Sequence, residues 1–86
     1  MTTGYNGWAN YETWNVYLWL TNDEPLYRAM LEARPSTAIT AELFVKGALP
    51  NGTPDFDSPD DYDNVDWNEI ATAIVEDITS WEADTE

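Results

Sequence analysis

From Tyr11 to Leu20 the chain reads Tyr-Glu-Thr-Trp-Asn-Val-Tyr-Leu-Trp-Leu, apolar around most of a helical circumference. Tyr11, Trp14, Tyr17 and Leu18 share one stripe, with Val16, Trp19 and Leu20 beside it, so this helix is expected at the centre of a core. Asn10 is its expected N-cap and Thr21-Asn22-Asp23 its end. Asp23-Glu24-Pro25 then starts a second helix, with proline in the first turn, where no N–H is needed. That helix should run to about Ala33 with Leu26, Tyr27, Met30 and Leu31 inward. Pro35 forces a break, and Ser36 or Thr37 can cap a third helix through about Ala48. Its expected buried side is Ile39, Leu43 and Phe44. Gly47 weakens its last turn, and Pro50-Asn51-Gly52 closes it.

Residues 50–66 form a long connection, and loops beyond about 12–15 residues are uncommon in compact domains and often functional. Phe56, Tyr62 and Val65 are the side chains expected to pin it to the core. The last helix has the most regular pattern. Asp66-Trp67-Asn68-Glu69 is a capping-box variant, with Val65 and Ile70 as its hydrophobic staple. Trp67, Ile70, Ala71, Ile74, Ile78 and Trp81 then recur at intervals of three and four residues or their sum.

The pattern predicts an all-α fold: a small single-domain bundle of about four helices spanning 1–86, with a lead-in at 1–9 and a long acidic loop before the last helix. A chain of this size buries only about 60–65% of its unfolded surface, so its core must be dense in large side chains. Five Trp, five Tyr and two Phe supply them. Such aromatic content also sets the chain apart from a disordered acidic tail.

Charge changes the picture. Residues 1–49 hold five acidic and three basic side chains, and residues 50–86 hold twelve acidic and none basic, for a net charge of −14. Like charge at that density opposes folding through self-repulsion. Solubility alone asks for a net charge of magnitude about 2–8 in a small domain. Adaptation to high salt would spread the charge along the chain, whereas here it is concentrated past residue 50.

Without histidine or cysteine, the commonest bases, nucleophiles and transition-metal ligands are missing, and no disulfide can form. Lys46 is the single lysine, and there is no Gly-rich phosphate loop. Carboxylate pairs can hydrolyse glycosides, but among seventeen carboxylates some pair falls at a suitable distance by chance. The reading is therefore a non-enzymatic protein with no cofactor and no dedicated metal site. Asp55, Asp57, Asp60, Asp61 and Asp63 are hard oxygen ligands that leave weak calcium binding open. The EF-hand pattern fails, because no glycine stands at the sixth position and Pro59 occupies a ligand position in the frame starting at Asp55. No secretory signal is visible at the N-terminus, and no apolar run approaches the roughly 20 residues needed to cross a bilayer. An anionic surface is also repelled by anionic lipid and by nucleic acid itself.

What remains is a surface that imitates nucleic acid. Proteins that hold a duplex line their grooves with Lys and Arg, and a rival needs carboxylates at comparable spacing on a stiff frame. Glu69 and Glu76 are seven residues apart, about 10 Å along a helix, with Asp77 alongside. The loop carboxylates Asp55, Asp57, Asp60, Asp61 and Asp63 are expected to extend that stripe. These eight residues are the candidate partner-binding site. Trp8 and Tyr62 are candidate anchors that would turn attraction into affinity.

The segment Asn10-Tyr11-Glu12-Thr13-Trp14-Asn15-Val16, followed by Asn22-Asp23, resembles a family of small uncharacterised phage and plasmid proteins, as does Val65-Asp66-Trp67-Asn68-Glu69-Ile70-Ala71. The resemblance implies a mobile-element setting and transfers no activity. By charge and size alone, the chain resembles acidic anti-restriction and anti-CRISPR inhibitors. The combined expectation is a DNA-mimic protein, monomeric or dimeric, in the host cytoplasm. It would bind a basic host protein that itself binds DNA or RNA. The alternatives are a structural or adaptor protein of a phage particle, or a halophile-type acidic domain. In Glu12-Thr13-Trp14-Asn15, the structural reading has Trp14 in the core and Asn10 with Thr13 organising the helix start; the functional reading is a partner-facing patch.

Overall fold

The computed structural model describes residues 7–84. Residues 1–6 of the expected lead-in lie outside the described residues. Four α-helices follow one another: α1 (Tyr11–Asn22), α2 (Glu24–Ala33), α3 (Ala38–Ala48) and α4 (Trp67–Asp84). A 3-10 helix, Pro59–Asn64, interrupts the long connection between α3 and α4. No strand occurs among the described residues. The protein is a small all-α domain, as its pattern predicts.

The helix boundaries follow the capping chemistry. Asn10 accepts from the Thr13 backbone N–H, and Pro25 stands in the first turn of α2. Thr37 and Thr40 form a reciprocal capping box at α3. Arg34 ends α2 in the left-handed region, φ 53°, and the following Pro35 is buried and cannot continue a helix. At α4 the Asp66 side chain accepts from the Glu69 N–H at 3.1 Å. The return half of that box is absent. Glu69 instead accepts from the Ala9 N–H at 2.9 Å, and the Asp66 N–H donates to the Thr13 hydroxyl at 2.9 Å. One local bond has given way to two long-range ties that fix α4 to the start of α1.

The core joins Val16 and Leu20 of α1, Leu26 and Met30 of α2, Ala41 and Val45 of α3, and Ile70, Ala71, Ile74 and Ile78 of α4. Tyr62 and Val65 of the connection complete it, with Phe56 packed against its edge, so all three expected pins reach the core. On α4 the expected stripe is buried at its four central positions, Trp67 packs at its edge, and Trp81 stays 46% exposed.

Two helices turn differently from expectation. In α1 the buried line is Thr13, Val16 and Leu20, while Tyr11 and Trp14 sit with rings 5.6 Å apart on a partly exposed face. Thr13 and Asn15 go inside because each side chain bonds a distant segment, which cancels the cost of burying a polar group. In α3 Ala41 and Val45 face inward, Phe44 is half-buried, and Ile39 and Leu43 are 71% and 67% exposed. α3 packs against α4, where Ala71 is buried, and alanine on both helices permits close approach of the backbones.

Candidate partner-binding site

The acidic connection is a folded strap laid along α1. Asn15, fully buried, donates through Nδ2 to Asp55 Oδ2 at 2.8 Å and accepts from the Thr53 hydroxyl. The Trp19 indole N–H donates to the same Asp55 oxygen at 3.1 Å. Further along, the Asn10 amide donates to the Asn64 carbonyl at 2.6 Å, and the Tyr62 hydroxyl donates to the Leu49 carbonyl at 2.6 Å. The strap therefore runs antiparallel to α1, from Asn15 and Trp19 back to Asn10. Its first bend is at Gly52, φ +92°, where a Cβ would stand 2.9 Å from Phe56 Cδ2. Thus Asn10 and Thr13 do organise the helix start, and they also hold the strap. Their polar spacing along an apolar helix was the available signal.

The predicted carboxylates divide into two kinds. Four are fixed by hydrogen bonds from the protein: Asp55 as above, Asp61 from the Asp57 N–H, Glu69 from the Ala9 N–H, and Asp77 from the Tyr17 hydroxyl at 2.8 Å. The side chains of Asp57, Asp60, Asp63 and Glu76 are exposed and have no hydrogen-bond or ion-pair partner among the described residues. The two donors on Asp55 hold its carboxyl below the usual carboxylate range, outweighing a smaller opposing effect of desolvation. Burial, and then the Asp77 carboxylate, push the Tyr17 phenol far up; burial pushes Tyr62 up to about 12.

The eight do not form the single stripe expected of them. Around α1, Tyr17 lies about 160° from both Asn15 and Trp19 at 3.6 residues per turn. Asp55 and Asp77, bonded to these residues, therefore sit on opposite flanks of α1. On the α4 flank, Glu69 and Glu76 line an open groove of about 530 Å³ together with Trp8, Asp66 and Ala73. Trp8 packs its ring 5.2 Å from that of Tyr17. The other flank carries Asp55 at the start of the strap, whose far end crosses to Asn10 and Thr13 at the start of α1. Between the two rims, Tyr11, Trp14 and Leu18 form the partly exposed outer ridge of α1. The body of α1 lies between Asp55 and Asp77. Asp66 was read from sequence only as a cap; its place on the groove follows from the long-range ties of α4. Tyr62, a candidate anchor, is buried at 3% exposure and serves the core instead.

The cations are spent elsewhere. Arg28 pairs with Glu24, Lys46 with Glu42, and Arg34 with Glu82. Among the described residues no cation lies within ion-pair distance of the eight predicted carboxylates. Nor do any three carboxylates there converge closely enough to hold a metal ion. No described helix is long and apolar enough to cross a membrane.

Fold and site define a small all-α domain whose carboxylates flank one aromatic helix on two sides. The chain belongs to the family of unknown function DUF7249, whose model matches residues 1–85. No curated protein and no solved structure gives a significant match.

Proposed function

We propose that this protein is a non-catalytic mimic of nucleic acid that occupies the cationic groove of a DNA- or RNA-binding protein. One observation carries the reading: carboxylates with no cation partner among the described residues are held on opposite flanks of the stiff helix α1, Asp55 on one and Asp77 on the other. Hydrogen bonds from Asn15, Trp19, Ala9 and Tyr17 hold part of each rim in place before any partner arrives. Fixed anions lose little entropy on binding, which favours affinity. The setting we favour is a phage or plasmid acting in the host cytoplasm, with a defence nuclease, a restriction or CRISPR component, or a transcription factor as the target.

The test uses the full chain as bait in host lysate. Asp57→Asn, Asp60→Asn and Asp63→Asn strip the strap rim, and Glu76→Gln with Glu69→Gln strips the α4 rim. Each set should weaken capture of a basic partner at least tenfold while the helical circular dichroism stays unchanged. Capture that ignores both sets would reject the reading. A phage adaptor is the second reading, and the half-exposed Trp81 in a groove with Tyr27 and Leu31 favours it. Its partner would hold through high salt and be lost with Trp81→Ala.

A further inference from the structure

The outer face of α3 is the feature that neither the core nor the anionic rims absorb. Ile39, Leu43 and Gly47 form one i, i+4 row on the side away from Ala41 and Val45. Ile39 and Leu43 are the two most exposed large apolar side chains described, at 71% and 67%. Gly47, also exposed, has no explanation inside the domain. It is not among the glycines with positive φ, and a Cβ built on it meets nothing within 4 Å. Glycine inside a helix costs stability relative to alanine, so its reason is sought outside the chain. The same face is electrically neutral: the only charged residues of α3, Glu42 and Lys46, pair with each other at 2.6 Å.

We infer that α3 is a self-association surface on which a second copy of this chain docks antiparallel, with its two-fold axis at Leu43. In that register Leu43 meets Leu43 of the second copy, and Ile39 meets the notch left by its Gly47. Because the axis is two-fold, both contacts occur twice, and each aliphatic knob finds a hole. Glu42 then stands about two residues, roughly 3 Å of helix rise, from the level of Lys46 of the second copy, on the same flank. The local ion pairs can re-form across the interface. A second copy fits this face because the face complements itself, Ile39 to the Gly47 notch and Glu42 to Lys46. The net charge of −14 on each chain opposes the association, which confines contact to a face where the charges of α3 cancel. Each copy brings its own two rims, so the dimer would carry four. An 11-residue helix offers less than the ~800 Å² per partner of a standard interface, which makes the association weak and concentration-dependent.

Sedimentation equilibrium on the full chain tests this from dilute to millimolar protein, at low salt and at about 1 M NaCl, where screening reaches about 3 Å. The expected result is a monomer–dimer equilibrium that salt strengthens at least tenfold. Leu43→Asn and Gly47→Leu should each abolish the dimer. Thr79→Glu, which adds charge on exposed α4, should leave it in place. The chain holds no cysteine, so Leu43→Cys introduces one thiol per copy and should cross-link under oxidation faster than Ser80→Cys. A monomer under every condition would overturn the proposal and leave α3 to some other occupant. So would a dimer that survives Leu43→Asn, or one that Gly47→Leu strengthens. Salt weakens a mimic's hold on a basic partner and strengthens this dimer, so the two readings fail separately.

Discussion

Helix α3 and the connection that follows it are neighbours in the chain, yet they are held in opposite ways. The connection is almost entirely polar, but Thr53, Tyr62 and Val65 are buried and its ends are tied to Asn10, Thr13 and Asn15. The helix is mostly apolar, but it commits only Ala41, Val45 and the flank of Phe44 to the core and leaves Ile39 and Leu43 in solvent. Composition therefore misplaces both. What decides burial here is whether a distant segment supplies a partner: hydrogen-bond donors and acceptors for the connection, a closely approaching α4 for the small side of α3.

The largest effects should come from the polar connection. Tyr62→Ala removes a buried ring and its bond to Leu49, and should cost about 3–5 kcal/mol. Leu43→Ala, in the apolar helix, should stay within about 0.5 kcal/mol in the monomer. Urea unfolding of both variants at dilute concentration checks this, and equal losses would break the comparison. Asn15→Leu comes next. It leaves the nearly buried Thr53 hydroxyl without its acceptor and should cost about 1–3 kcal/mol, despite adding apolar volume to an apolar helix.

The pattern was legible where stability is local. α4 is predicted by its own periodicity, and the caps Asn10, Thr37 and Asp66 stand where short-range chemistry puts them. The inward face of α1 was not legible. Thr13 and Asn15 are buried through bonds to residues 53 and 38 positions away, which no local window contains. The face of α3 failed for a related reason, since hydropathy favours Ile39 and Leu43 over Ala41 while close helix packing favours the smaller side chain. As for the site, the excess of carboxylates was plain from the residues. Their division into two rims was not, because it depends on α1 lying between Asp55 and Asp77.

pH gives a smaller and more graded test. Asp55 has a folded pKa below its unfolded value, so its contribution is present above the unfolded pKa, about 3.9, and is lost as pH falls through the folded value. Asp55→Asn should therefore destabilise the protein at neutral pH and make little difference in strong acid. The raised phenols of Tyr17 and Tyr62 act at the other end. Their contribution is complete below about pH 10, the unfolded value, and fades as pH rises toward and beyond 12. Tyr17→Phe should flatten part of that alkaline loss. Denaturant midpoints across the pH range measure both, and a strap held without Asp55 would show no acid-dependent difference.

The central claim is that the two carboxylate rims stand in for the charge of a duplex. Its most direct test is competition: the captured partner, held on immobilised full-length protein, is challenged with duplex DNA at constant ionic strength. The account predicts displacement by DNA in a dose-dependent way, with the partner's own DNA binding blocked by free protein. A partner that binds DNA and this protein at the same time, without mutual competition, would contradict it.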